Sequence, residues 1–390
     1  MKKKIFRLVS FIIACFLGII CLAGCDGGPS QQGDEDNKEE TGTVKPERDI
    51  EAVSPADNGT AVLANAVVAE FSEEYKVFDS ENYVDATSSV KKDLYAPTGV
   101  MLEWSCKQEA EEYTVSVSFS QDMTDAAEYT AEDTTLKLND LFVATDYFWQ
   151  VEAQTAEGAI QSDVFRFTTA QTPRTIFVEG VSNTRDIGGY TAADGKRVKQ
   201  GIVYRGGKLD DITSGGKAQL LNGYGIRTDL DLRGDDGKNI LAEDVNYIHI
   251  SSPSYTTPHD SSGSGIDVAA NHEALASIIK VFAVEENYPI YMHCAIGRDR
   301  TGTVAMLLEL LLGMSENDIY MDYELSLFSA AGCSDNTPFD KLFYTYFWPT
   351  YNYISQNYSG GSMMQKCESF MLEIGLMSEE ISSIRALLLV

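Results

Sequence analysis

Positive charge is scarce in this chain. Its 390 residues carry 30 Lys and Arg against 59 Asp and Glu, a formal net charge of −29. So acidic a body exerts no bulk pull on nucleic acid, which excludes generic DNA or RNA binding but leaves room for an isolated basic pocket. Cysteine is sparse as well, and seven in 390 residues are too few for a disulfide scaffold. Only four histidines occur, and no two stand at metal-ligand spacing, so neither a zinc site nor another cofactor is expected. Core-forming residues are not lacking: 44% of the chain is hydrophobic and 23% charged, an ordinary globular composition. The length is that of two domains or three.

A long apolar run stands at the start. Met1 is followed by Lys2, Lys3, Lys4 and Arg7, then by apolar residues over 8–23. This charged and then apolar segment is set aside before fold reasoning. It ends in Leu22-Ala23-Gly24-Cys25. Small residues before such a cysteine resemble the lipobox of bacterial lipoproteins. The resemblance implies a signal peptide over 1–24 and a lipid on the Cys25 sulfur, two chains holding where one is marginal. An uncleaved membrane anchor is the other reading. Either one places the folded part at the extracytoplasmic face of the cell membrane. Removing the four positive charges of 1–24 takes the balance from −29 to −33. Residues 25–49 have almost no apolar side chain and cannot offset their ordering entropy, so they read as a disordered acidic tether.

Over 50–172 the pattern has period two. Val100, Leu102 and Trp104 alternate with polar neighbours, as do Tyr113, Val115, Val117 and Phe119, and then Tyr147, Trp149, Val151 and Ala153. Short alternating strands with polar turns predict an antiparallel β-sandwich. Leu141, Thr145 and Tyr147 have the spacing of a tyrosine corner. With Trp104 and the closing Phe165-Arg166-Phe167-Thr168-Thr169, the segment resembles a fibronectin type III domain. The stretch 64–92 reads as an insertion with no place in that pattern.

After 172 strands alternate with helices. Strands are expected at 201–204, 227–232, 246–250 and 289–292, with helices at 215–224, 271–284 and 301–312, the last capped by Gly313. Such alternation predicts an α/β layer around a largely parallel sheet over 173–390. Between the last strand and the last helix stands His293-Cys294-Ala295-Ile296-Gly297-Arg298-Asp299-Arg300-Thr301-Gly302. A cysteine before a helix lies at the positive end of the helix dipole, which together with nearby guanidinium groups favours thiolate. A turn of five residues can curl around a tetrahedral anion, so that the N–H groups of Ala295, Ile296, Gly297 and Arg298 converge on it. Gly297 permits the curvature. Arg300 can grip two oxygens of a phosphate. Thr301 can donate its hydroxyl toward the sulfur, and His293 can orient the loop.

His-Cys, five residues, Arg, Thr and Gly form the signature of the cysteine-dependent protein tyrosine phosphatases. Asn183-Thr184-Arg185-Asp186-Ile187-Gly188-Gly189-Tyr190, Tyr204-Arg205-Gly206-Gly207, Asp231-Leu232-Arg233 and Asp322-Tyr323-Glu324-Leu325-Ser326 narrow the match. Together they resemble the bacterial and fungal tyrosine phosphatases related to the secreted mycobacterial enzyme. The resemblance implies an α/β tyrosine phosphatase-like domain and metal-independent hydrolysis through a phosphocysteine. It implies Cys294 as nucleophile, Arg300 as phosphate ligand, and a general acid inside the loop at Asp299. The substrate it implies is a phosphorylated protein or a phosphoinositide.

Asp231 and Asp186 are rivals to Asp299 for the acid, and Asp299 could instead pair with Arg298 or Arg185. Trp348-Pro349 is discounted, because Thr350 follows where an acid would be needed. Arg298 could be a second cation beside the pocket, which motivates a phosphoinositide or inositol phosphate reading; otherwise it points to solvent. His249 reads as a strand residue. Cys106, Cys333 and Cys367 are unassigned, with a Cys333–Cys367 pair open. Residues 253–265 read as a loop near the pocket or a plain connector. A surface binding protein with an inactive phosphatase-like fold is the rival of another class.

Overall fold

The computed structural model describes residues 48–83, 94–234, 237–255, 263–333 and 337–390. The apolar leader, Cys25 and nearly all of the tether lie outside the described residues, as do 84–93 and the middle of 253–265.

The alternating segments form β1 (Ile50–Ser54), β2 (Gly59–Ala61), β3 (Val100–Cys106), β4 (Ala110–Ser118), β5 (Ala127–Ala131), β6 (Thr135–Leu138), β7 (Asp146–Thr155), β8 (Gly158–Gln161) and β9 (Phe165–Thr169). They make two sheets. One is β1-β3-β6; the other runs β2-β9-β7-β4-β5, with β8 on β7. All pairs are antiparallel except β2 with β9. Leu102 and Trp104 of the first sheet and Val115, Tyr147, Trp149, Val151 and Phe167 of the second share one buried cluster, because side chains two apart lie on one face of a strand. Phe119 departs from the alternation. It falls just past the end of β4 and is 38% exposed, with its ring against Phe142 and Tyr147. The Tyr147 hydroxyl accepts the Phe142 N–H at 2.8 Å and ties the β6–β7 connection to the core.

Of the stretch 64–92, expected within the sandwich segment, the described part, 64–83, joins neither sheet. It holds α1 (Ala66–Glu73), capped by Asn65, whose side chain accepts the Val68 N–H at 3.0 Å. Val68 and Phe71 are buried with Tyr95 in the core of the C-terminal half, and the Phe71 ring lies 4.8 Å from that of Phe328. The Glu324 carboxylate accepts bonds from Tyr75 Oη (2.6 Å), Ser80 N (2.9 Å), Ser80 Oγ (2.6 Å) and Phe78 N (3.2 Å). The chain therefore leaves the sandwich after β2, packs on the other half, and returns at β3. The physical reason is apolar surface: this segment has a hydrophobic face that the edge of a sandwich cannot bury.

The C-terminal half is built on a five-stranded sheet. Its order is β10 (Arg185–Asp186), β11 (Val203–Gly206), β14 (Ile290–His293), β12 (Thr228–Asp231), β13 (Asn246–His249). β10 is antiparallel and the others are parallel. Eight helices pack around it among the described residues: α2 (Ser214–Ala218), α3 (Ala269–Lys280), α4 (Asp299–Leu312), α5 (Glu316–Glu324), α6 (Phe339–Leu342), α7 (Trp348–Asn357), α8 (Met363–Glu373) and α9 (Ser378–Leu388). One face of the sheet packs on α3, α4, α8 and α9 through Met292, Leu230, Ile278, Leu308, Phe370 and Ile384. The other buries Tyr204 and Tyr291 with Ile176, Leu220 and Leu241. α4 is buried on all sides, which explains its nearly continuous apolar run. Gly313 ends it at φ 76°. Gly206 and Asp231 both stand level with His293, so the loops after β11, β12 and β14 open on one edge, where parallel sheets bind ligands.

Cys333 and Cys367 form no disulfide with each other; both are buried, and Cys367 donates to the Leu307 carbonyl at 3.5 Å. Trp348-Pro349 opens α7, where a proline needs no N–H partner.

Candidate active site

The loop between β14 and α4 begins at Cys294, which is 3% exposed. Its carbonyls are drawn outward one after another. Ala295 O accepts the Lys208 N–H at 3.2 Å, and Ile296 O accepts Asn183 Nδ2 at 2.9 Å. Gly297 O accepts Arg205 Nη2 at 2.9 Å, and the same nitrogen reaches Arg298 O at 3.4 Å. A trans peptide sets its N–H opposite its C=O. Each carbonyl turned out therefore turns the next residue's N–H inward. Among the described residues the amides of Ala295, Ile296, Gly297 and Asp299 donate to no protein group. This is a nest closed by a helix N-terminus, a geometry that can hold an anion. Gly297 is required twice over. Its φ is +71°, and a Cβ there would lie 2.3 Å from the Gly206 carbonyl.

Behind the loop lies a buried ionic cluster. Asp322, at 1% exposure, accepts Arg185 Nε at 2.7 Å and is also bonded by Arg205. Arg185 Nη2 reaches the Asp322 backbone carbonyl at 2.7 Å; its Nη1 reaches Tyr95 Oη at 2.9 Å and Asn183 Oδ1 at 2.6 Å. Burial alone would raise the Asp322 carboxyl, but the two guanidiniums outweigh it and hold the group below its usual range. Glu309 lies beside it, and burial with the Asp322 charge pushes Glu309 well up. Two guanidiniums, those of Arg185 and Arg205, thus meet at Asp322 beneath the nest in a low-dielectric interior.

Arg300 is half-buried and donates Nη1 to Leu232 O at 3.2 Å, which places its head over the end of β12. The Thr301 hydroxyl is fully buried and has no hydrogen-bond partner among the described residues. His293 Nε2 stands 2.9 Å from Asp229, with Nδ1 3.3 Å from the Cys294 carbonyl, so both ring nitrogens face structural partners. Asp299 opens α4; its carboxylate accepts Arg298 Nε and Tyr323 Oη, both at 2.9 Å, and its side chain is 17% exposed. Arg298 differs from both expectations for it. Its side chain neither stands free beside the loop nor points to solvent; it is 3% exposed and bound to Asp299 and Gly332 O. Its charge is spent inside the fold, and what it can offer an anion is its backbone.

The two rival carboxylates are enclosed. Asp231 accepts Arg233 Nε and Nη2 at 2.9 and 2.8 Å and Tyr247 Oη at 3.1 Å. Burial raises it, but the Arg233 bonds and the His293 charge win and hold it below the usual range. Asp186 has no exposed side-chain surface and is bound by Arg174 at 2.6 Å and by the Gly188 and Gly201 amides. His249 is not idle: its Nε2 contacts the Arg233 and Gly234 carbonyls at 3.0 and 2.8 Å, tethering the loop after β12. Arg205, Asn183, Asp322 and Tyr95 received no role from sequence. The first three lie in the segments quoted there, but only the fold brings them behind the loop. Among the described residues no group of His, Cys, Asp and Glu is gathered that could hold a metal.

A family model described as "tyrosine phosphatase family" matches residues 176–390, more than half of the chain. A curated protein of Cupriavidus necator named "putative tyrosine-protein phosphatase" is 27% identical over 165 residues, 37% of this chain. The chain spans 59% of that relative's length. Among solved structures, the core catalytic domain of the PP-IP phosphatase SIW14 of S. cerevisiae, in complex with citrate, is similar at 15% identity. That match covers 36% of this chain and 76% of the other, with a TM-score of 0.26, too loose to carry weight.

Proposed function

The chain belongs to the tyrosine phosphatase family, and from that premise we propose that it hydrolyses phosphomonoesters through a phosphocysteine, with phosphotyrosine in protein as the substrate. The carrying observation is the row of outward carbonyls at Ala295, Ile296 and Gly297, which leaves inward amides beside Cys294. In the first step the Cys294 thiolate attacks phosphorus, an S–P bond forms, and the P–O bond to the substrate breaks. Asp299 gives its proton to the departing oxygen. In the second step water attacks the phosphocysteine, Asp299 takes back a proton, and inorganic phosphate and thiolate are regenerated. Arg300 and the loop amides bind the equatorial oxygens as their charge is redistributed. The orphan Thr301 hydroxyl is available to stabilise the departing sulfur.

All three carboxylates are paired with an arginine; Asp299 is the acid in this reading because it alone of the three keeps solvent access, its side chain 17% exposed against 0% for Asp231 and Asp186. Phosphotyrosine is favoured over polyphosphorylated lipid headgroups because Arg298, the cation that would have met a second phosphate, is buried. At the other end we propose Cys25 as a lipidated residue that holds the enzyme on the extracytoplasmic face of the membrane, with the β-sandwich as a fibronectin type III-like spacer.

Cys294→Ser is expected to abolish turnover of a phosphotyrosine peptide while inorganic phosphate still binds. Wild-type turnover in that variant ends the proposal. Asp299→Asn is expected to slow a poor leaving group such as an alkyl phosphate by about 100-fold or more, the usual worth of a positioned acid, and to spare p-nitrophenyl phosphate. Equal rates on the alkyl substrate place the acid elsewhere. Inositol phosphates assayed beside the peptide test the substrate class.

A further inference from the structure

The nest is not held by the loop's own sequence. Two arms run to it from one buried guanidinium. Arg185 Nη1 bonds Asn183 Oδ1 at 2.6 Å, which leaves Asn183 Nδ2 to face Ile296 O at 2.9 Å. Arg185 Nε bonds Asp322 at 2.7 Å, Asp322 binds Arg205, and Arg205 Nη2 takes Gly297 O at 2.9 Å. Arg185 is itself fixed by the Tyr95 hydroxyl at 2.9 Å, with the Tyr95 ring 5.9 Å from its guanidinium. Asn183 holds a left-handed backbone at φ 62° to meet this geometry. Tyr95 lies outside 176–390, in the segment that crosses from the sandwich to the other core.

We infer that Arg205 and Asn183 are positioning residues for the phosphate-binding loop and that Tyr95, from the N-terminal half, sets them through Arg185. A guanidinium fork can hold a carboxylate and a carbonyl at once in fixed directions, which an ammonium cannot. The Tyr95 hydroxyl and the Asn183 carbonyl share one Arg185 nitrogen, so loss of the first removes one of the two bonds that aim that nitrogen and slackens the second, while Nε and Nη2 stay on Asp322. The segment before β3 is then a working part of the site. This rests on the phosphatase reading above.

The test measures inorganic phosphate binding by titration calorimetry in full-length Cys294→Ser protein, which reads the loop without turnover. Arg205→Lys and Tyr95→Phe are compared with Ser80→Ala, which loosens the same segment at Glu324 without touching the arms. Phosphate affinity is expected to fall about tenfold or more in Arg205→Lys and about three- to tenfold in Tyr95→Phe, the worth of a buried charged and an ordinary hydrogen bond. Ser80→Ala is expected to lower the melting temperature at unchanged affinity. Should Arg205→Lys fail to fold, Tyr95→Phe decides alone. Unchanged affinity in Tyr95→Phe, or an equal fall in Ser80→Ala, overturns the inference. A Cys294→Ser parent that binds no phosphate removes the functional reading, and this one with it.

Discussion

Glu309 shows how much of the site is made by single buried groups. It sits on α4 at 1% exposure, against Asp322, with Oε1 unpartnered among the described residues. Burial raises its carboxyl well above the usual range, so the native state keeps a proton that the unfolded chain releases above about pH 4.3. Native protein thus binds more protons than unfolded over that window, and stability falls as pH rises through it. Asp322 acts with the opposite sign: its carboxyl is held low, so its contribution is present at neutral pH and lost as pH falls. Glu309→Gln keeps a donor toward Asp322 and cannot ionise. The variant is expected to be more stable than wild type at pH 8, on the order of 1–3 kcal/mol, and to converge with it near pH 4.5. Denaturant melts across pH read this directly, and a wild-type advantage at pH 8 would mean that Glu309 is charged in the fold. None of it is visible in sequence. The cysteine and the arginine of the loop stand out by spacing, whereas Glu309 reads as one acid in an apolar helix and Arg205 as one basic residue after a strand.

At the scale of elements, legibility followed the length and regularity of the pattern. β3, β4 and β7 alternate over seven to ten residues, and α4 is apolar over 304–312 except at Glu309, so both kinds of element declare themselves. α1 does not. It has eight residues and only two fully buried side chains, and its ring partner Phe328 lies far along the chain. A segment that pays for its order in a remote core carries no local sign of where it packs. A pair between Arg298 and the adjacent Asp299 is legible in sequence, but the same limit hides the burial of Arg298, because Gly332 reaches it only when the loop after α5 folds back. If α1 belongs to the catalytic core, truncating its anchor must act there. Phe71→Ala is expected to cost about 3–5 kcal/mol in denaturant unfolding of the full chain, with phosphotyrosine hydrolysis lost along the same curve. A variant that melts early in the sandwich while hydrolysis persists would assign α1 to the other half.

At the scale of the whole molecule, the described residues bring the two halves into contact at two places. One is the crossing segment. The other is the β6–β7 connection, whose backbone is capped from the C-terminal half. Arg174 donates to the Asp140 and Leu141 carbonyls at 2.8 and 3.1 Å, and Gln200 exchanges bonds with Val143 at 2.9 and 3.0 Å. Arg197 reaches Ala144 O at 2.9 Å, and Tyr224 Oη reaches Asp140 at 2.6 Å. Arg174 is 4% exposed, pairs with Asp186, and lies 4.7 Å over the Phe142 ring. Separating the halves would strip the apolar face of α1 from its partners and take from Arg174 its bonds to the Asp140 and Leu141 carbonyls. Burial of Val68, Phe71 and Tyr95 contributes about 1.5–3 kcal/mol each, which is comparable to the whole margin of about 5–15 kcal/mol by which a domain is folded. A fragment beginning at 173 therefore loses both the packing and the Tyr95 arm. It is expected to melt at least 10 °C below the full chain, since about 1 kcal/mol shifts a unit of this size by ~2–4 °C, and to bind apolar dye. The full chain is expected to unfold in a single calorimetric transition. Two resolved transitions, or a fragment as stable and active as the whole, would show that the sandwich and crossing segment are carried by the enzyme without supporting it.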